Sequence, residues 1–200
     1  MYFLFLLFST VCINEVMSNP LGGSGPGSPE DRNEFVEIFN MGSDAVDLNG
    51  WKITDFDAVD IIVPFYALSG DSSTLLLPGE YALIMDPEYV DSGENYMPYG
   101  VPSCLLLTVG NTTIGDELST NDPIALISPD GDTVSTYYYP FNPGDGISVE
   151  RVYPYAGDIP ENWKACKDSS GSTPGRKNSV YSSPDFILDS LIVTVSYTHL

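Results

Sequence analysis

Two hundred residues leave room for one domain with short extensions. Seven Lys and Arg against 28 Asp and Glu give a net charge of −21, which speaks against nucleic-acid or anionic-membrane partners, since both need clustered cations. Eighteen Gly and 16 Pro interrupt long helices, while 42% apolar and 12% aromatic residues suffice for a packed core. With 13 Tyr favouring strands, the composition is that of an acidic, all-β, extracellular protein.

Residues 1–13, MYFLFLLFSTVCI, are apolar but too short to span a bilayer, which takes about 20 residues. Residues 1–10 read as a secretion-signal-like segment without the usual basic start, ending in the small residues Ser9 and Thr10. A first strand follows over 11–16, then a flexible Gly/Ser/Pro loop over 21–32. The run 34–40 is a strand with Val36 and Ile38 on one face and Phe35, Glu37 and Phe39 on the other, so it is covered on both sides. Strands 45–48 and 51–55 flank the Asn49-Gly50 turn, after which Trp51 enters the core. Further runs are 61–65, 75–77 and, past the Pro78-Gly79 turn, 80–85. Residues 86–103 form a long loop, 104–109 a strand, and 110–122 a polar hairpin or loop carrying Asn111-Thr112-Thr113, a glycosylation sequon only in a eukaryotic host. Strands 123–128 and 133–139 flank the turn Pro129–Asp132, and 147–152 is the last clear strand. Residues 153–180 are irregular and anchored by Trp163, with Thr173-Pro174-Gly175 as a rigid turn. One sandwich domain is expected over 11–180, and 181–194 is a linker or the start of a following domain. The last six residues, VSYTHL, match the translation of a transposon end used in sequencing libraries. Residues 195–200 are therefore expected to be adapter read-through, which removes the only histidine, His199.

INEVMSNP (13–20), EFVEIFN (34–40), DLNGWKITD (47–55), LLLPGEYALI (75–84), NDPIALISPDGD (121–132), GISVERV (146–152), Trp163 and STPGRKNS (172–179) occur in an order that resembles the lamin-tail domain. The likeness is greatest to the version found in secreted bacterial proteins and covers 12–180. It implies an immunoglobulin-like β-sandwich with long decorated loops, serving as a non-catalytic module of an exported or cell-surface protein. Asn14, Glu37, Gly50, Trp51, Glu150, Arg151, Trp163, Pro174 and Gly175 are the structural motif positions. Glu150 and Arg151 point to opposite faces of a strand, and Arg151 is expected to pair with Glu37 or Glu15.

The chemistry-bearing residues do not suggest an enzyme. Glu34 and Glu37 face opposite sides of their strand and cannot act directly as an acid/base pair. No zinc spacing, HExxH or phosphate loop occurs. Calcium is the only cofactor candidate, at Asp55, Asp57 and Asp60 and at Asp130 and Asp132, with ordinary turn chemistry as the alternative. Among three cysteines, Cys104 and Cys166 are the candidate disulfide, leaving Cys12. Tyr89, Tyr96, Tyr99, Tyr137, Tyr138, Tyr139, Tyr153 and Tyr155 form a candidate glycan-stacking surface, with at least one of the run 137–139 in the core. The expected partner is a protein or glycan at the cell surface. The alternative is a carbohydrate- or calcium-binding accessory module of a secreted hydrolase whose catalytic part lies outside this chain.

Overall fold

The computed structural model describes residues 10–90 and 97–184. The rest of the signal-like segment, Tyr96, the span 185–194 and the tail 195–200 lie outside the described residues. Twelve strands follow in chain order: β1 (Val11–Met17), β2 (Phe35–Asn40), β3 (Val46–Asp47), β4 (Lys52–Thr54), β5 (Val59–Pro64), β6 (Leu75–Leu76), β7 (Tyr81–Met85), β8 (Leu105–Val109), β9 (Ile124–Ile127), β10 (Thr133–Tyr137), β11 (Val149–Arg151) and β12 (Trp163–Ala165). Two helices of four residues each, α1 (Pro29–Arg32) and α2 (Tyr66–Ser69), lie between strands.

Ten strands form one sheet in the order β10-β9-β4-β5-β8-β7-β2-β1-β11-β12, and β3 pairs with β6 separately. The sheet curls until its halves face each other, giving the expected all-β, immunoglobulin-like sandwich. β5 joins the two layers, pairing Ile61 with Lys52 of β4 and Ile62 with Val109 of β8. Across the open seam, the Ile13 amide donates to Ser135 Oγ at 2.9 Å.

The alternation read from the sequence explains the core. Val36 and Ile38 of β2 face the main apolar cluster with Trp51, Ile53, Leu107, Leu126 and Trp163. Phe35 faces a second cluster with Met17, Leu83, Met85 and Tyr89. β2 is thus covered on both sides, as expected. Gly50 adopts φ +76°, a left-handed conformation that a side chain would oppose, and the turn it closes delivers Trp51 inward.

Three segments differ from the expectation. The 21–32 loop contains α1, started by Ser28 Oγ accepting from the Asp31 amide with Pro29 in the first turn. The long 86–103 loop opens with a 3₁₀ turn, Pro87–Val90, that buries Tyr89 completely. The 153–180 region contributes β12, which pairs Trp163 with Arg151 and extends the sheet.

Candidate functional site

Antiparallel register sets the centre of the molecule. β1 places Glu15 directly opposite Glu37 of β2 on one side and Glu150 of β11 on the other. Residues directly opposite share a face, so three glutamates stand side by side, each with 0% exposure. Like charges in that arrangement repel, and burial penalises each further. The segment 172–180 crosses over this row and supplies the compensating donors.

Glu37 Oε2 accepts from the Gly175 amide at 2.6 Å, and its Oε1 from Asn14 Nδ2 at 2.7 Å. Glu15 Oε1 accepts from Ser148 Oγ at 2.6 Å and the Thr173 amide at 2.8 Å. Glu150 Oε2 accepts from Ser179 Oγ at 2.8 Å and the Val180 amide at 3.0 Å. Asn178 Nδ2 ties the same segment to the carbonyls of Asn14 and Arg151. Gly175, at φ +75°, provides the left-handed turn that aims its amide at Glu37. The Thr-Pro-Gly turn read from the sequence is therefore the centre of a clasp.

Thr173 Oγ1 lies 2.9 Å from Glu15 Oε2 and 2.7 Å from Glu150 Oε1. A hydroxyl has one proton to donate. Both contacts are hydrogen bonds only if one of the two glutamates carries a proton and donates it to Thr173. Burial, with the neighbouring Glu150 charge, pushes the Glu15 carboxyl up to about 7, which favours Glu15 as the carrier of that proton. Burial and the Glu15 charge hold Glu37 well above the usual carboxylate range.

Arg151 does not pair with Glu37 or Glu15. Glu15 faces Glu150, so the next residue, Arg151, points to the opposite side of the sheet. There its guanidinium donates to the carbonyls of Ile13 (2.7 Å), Ala156 (3.1 Å) and Thr136 (3.1 Å). It also lies 4.5 Å above the Trp163 ring, whose Nε1 donates to Asp158 at 2.7 Å.

The aspartates separate into two groups. Asp55 Oδ1 accepts from the amides of Asp57 (3.0 Å) and Ala58 (2.8 Å), and its Oδ2 from the Asp116 amide (3.0 Å). Asp60 accepts from Asn111 Nδ2 (2.6 Å) and the Gly115 amide (2.7 Å). These buried carboxylates thus close the 55–58 turn and pin the 111–116 loop, including the sequon asparagine. Asp57, Asp130 and Asp132 are exposed. The Asp130–Asp132 turn lies beyond Ile127, which pairs with Lys52, whereas Asp55 follows the other end of β4. Among the described residues, no three His, Cys, Asp or Glu side chains are grouped to hold a metal. With the oxygens of Asp55 and Asp60 already accepting, thermal melts in millimolar calcium and in chelator are expected to superimpose. A calcium-dependent rise in melting temperature would contradict this assignment.

Cys12, Cys104 and Cys166 are all free thiols, so the expected Cys104–Cys166 bridge is not made. Cys104 packs beneath the Gly175 turn, and Cys166 Sγ contacts Ser179 Oγ at 3.5 Å. Burial pushes the three thiols up to about 11, 12 and 11 in chain order, which suppresses the thiolate needed for exchange.

The tyrosines also divide. Tyr137 is core, packed on Trp163 at 4.6 Å. Tyr89 is core as well, and its hydroxyl binds Gly100 and Tyr99 backbone. Tyr138, Tyr139 and Tyr155 are exposed. The residues missed from the sequence are the clasp partners Ser148, Thr173, Asn178 and Ser179, together with the adjacency of the three glutamates. Their sequence signals were the segments 146–152 and 172–179, which carry them, and an acidic residue inside each of three apolar strands.

No helix among the described residues is long and apolar enough to cross a membrane. A comparison with curated proteins finds no match. The family model of the Lamin Tail Domain matches residues 8–141, which run from just before β1 to just past β10. The strand order, the Trp51 turn and this match lead to one conclusion: the chain belongs to the Lamin Tail Domain family, an immunoglobulin-like family compatible with a non-catalytic module.

Proposed function

We propose that the chain is a non-catalytic module of an exported or cell-surface protein, used for binding, adhesion or domain spacing. One observation carries this reading. The carboxylates of Glu15, Glu37 and Glu150 are fully buried and hydrogen-bonded to the protein's own donors. Groups that would do acid/base work are thus committed to holding the fold together, and recognition falls to the exterior. The apolar start of the chain and the charge of −21 support export.

The test is expression of the full chain in a secretion-competent bacterium, followed by fractionation and protease treatment of intact cells. Recovery in the medium, or protease accessibility on the cell surface, is expected; retention in the cytosol would overturn the export reading. Purified protein is expected to leave chromogenic glycosides and esters unhydrolysed, and turnover of either would overturn the non-catalytic reading. The reading as a carbohydrate-binding accessory module is favoured by one observation, an aromatic cleft beside the clasp.

A further inference from the structure

A cavity of about 240 Å³ opens between the β2 and β7 strands, the 154–155 loop and the end of the clasp. Phe39, Tyr81, Tyr155 and Tyr181 line it, together with Asn14 and Asn178. The rings are held in place. Phe39 and Tyr81 pack at 5.0 Å, and Tyr153 buttresses both Tyr155 at 5.3 Å and Tyr181 at 6.1 Å. Tyr155 is nevertheless 57% exposed, presenting a large ring to solvent.

The polar groups are placed as deliberately. Asn14 is 2% exposed, and its Nδ2 donates to Glu37 Oε1 and to Asn178 Oδ1. Both of its amide hydrogens are thereby engaged, and Oδ1 is left as the acceptor for an incoming group. Lys177 Nζ sits 3.6 Å above the Tyr181 ring at the rim, held there by the ring's electron-rich face. Lys164, Lys167, Arg176 and Lys177 make up four of the chain's seven cationic residues, all within 164–177. Among the described residues lining the cleft, Lys177 is the one charged group.

An apolar occupant would leave the Asn14 Oδ1 acceptor without a partner. A flat ring with one apolar face and several hydroxyls satisfies the aromatic walls and the polar groups together. The volume is below the roughly 300–1,000 Å³ of clefts for drug-sized ligands, which suits one such ring. We infer that this cleft binds a single saccharide residue, stacked on Tyr155 and hydrogen-bonded by Asn14 and Lys177, at an end or branch of a surface polysaccharide. The inference rests on the binding-module reading and assigns its ligand class and residues.

Affinity electrophoresis tests it, because the charge of −21 drives the full chain rapidly through native gels. Gels are cast with laminarin, hydroxyethylcellulose, xylan or alginate, and compared with a gel lacking polysaccharide. Retardation in at least one gel is expected. Tyr155→Ala should weaken that retardation at least tenfold with an unchanged melting curve, because the ring is largely exposed. Lys177→Gln distinguishes the sugar: loss confined to alginate assigns Lys177 to a uronate carboxylate, and an equal loss in a neutral gel assigns it to a hydroxyl. Migration unchanged in all four gels overturns the proposal, as does retardation that both Tyr155→Ala and Tyr81→Ala leave intact. A chain that is exported and hydrolytically inert yet not retarded in any gel loses this site while the proposed function stands.

Discussion

Replacing Arg151 with methionine is expected to lower the melting temperature by roughly 10 °C, the largest effect of any single substitution considered for this chain. The guanidinium donates to three carbonyls, a buried one on β1 and part-buried ones on β10 and in the loop before β12. Each hydrogen bond to a charged group is worth about 1.5–3 kcal/mol, and an orphaned buried acceptor costs about 1–3 kcal/mol. Methionine fills part of the volume over Trp163 but satisfies none of the three. Partial relaxation brings the net loss to about 3–5 kcal/mol, and each kcal/mol moves a domain of this size by about 2–4 °C. Arg151→Lys should recover little, since an ammonium does not reproduce a planar fork that reaches three separate acceptors. Melting followed by far-UV circular dichroism checks both variants. An unchanged midpoint for Arg151→Met would show that Arg151 does not tie the seam between β1 and β10.

Thermal stability is expected to be highest near pH 5 and to fall steadily towards pH 8. Burial raises Glu15 to about 7, Asp86 to about 7 and Glu34 to about 10, and holds Glu37 well above its ordinary value. An unfolded chain releases these protons near pH 4.5 for the glutamates and near pH 3.8 for Asp86. The folded chain keeps them longer, so between those limits the folded state binds more protons and stability falls as pH rises. For Glu15 the loss begins above about pH 4.5 and is complete once pH passes about 7. The growing negative charge of the acidic surface acts in the same direction.

Glu15→Gln isolates the clasp's share. A glutamine amide placed at Oε2 donates permanently to Thr173 Oγ1, which then donates to Glu150, while its oxygen still accepts from Ser148 and the Thr173 amide. The variant should match the parent at pH 5 and melt several degrees higher at pH 8. Parallel curves for the two proteins would mean that Glu15 holds no proton in the folded state.

Much of the fold was legible because local rules decided it. Asn49-Gly50, Pro78-Gly79 and Asp130-Gly131 each mark a turn whose glycine takes positive φ, and the alternation in 34–40 placed β2 between two apolar layers. β12 was hidden because three residues, Trp163–Ala165, are too few to show a period, and their pairing with β11 is set by the sheet edge. α1 was masked by its Gly- and Ser-rich surroundings, although Ser28-Pro29 carried the signal for a helix start. The glutamate row depended on register between strands some 130 residues apart, which no local pattern encodes. The same missing register directed Arg151 to the wrong partners, even though its opposition to Glu150 was read correctly.

The clasp also dictates when this protein folds. β1 is the first strand made, yet its Glu15 meets Ser148 and Thr173 only 133 and 158 residues later. Closing such distant contacts is slow, in the millisecond-to-second range for β-sandwiches, and none of them is available until nearly all of the domain has been synthesised. A nascent chain therefore emerges with its first strand lacking one neighbour, and its sheet is completed in a single late event.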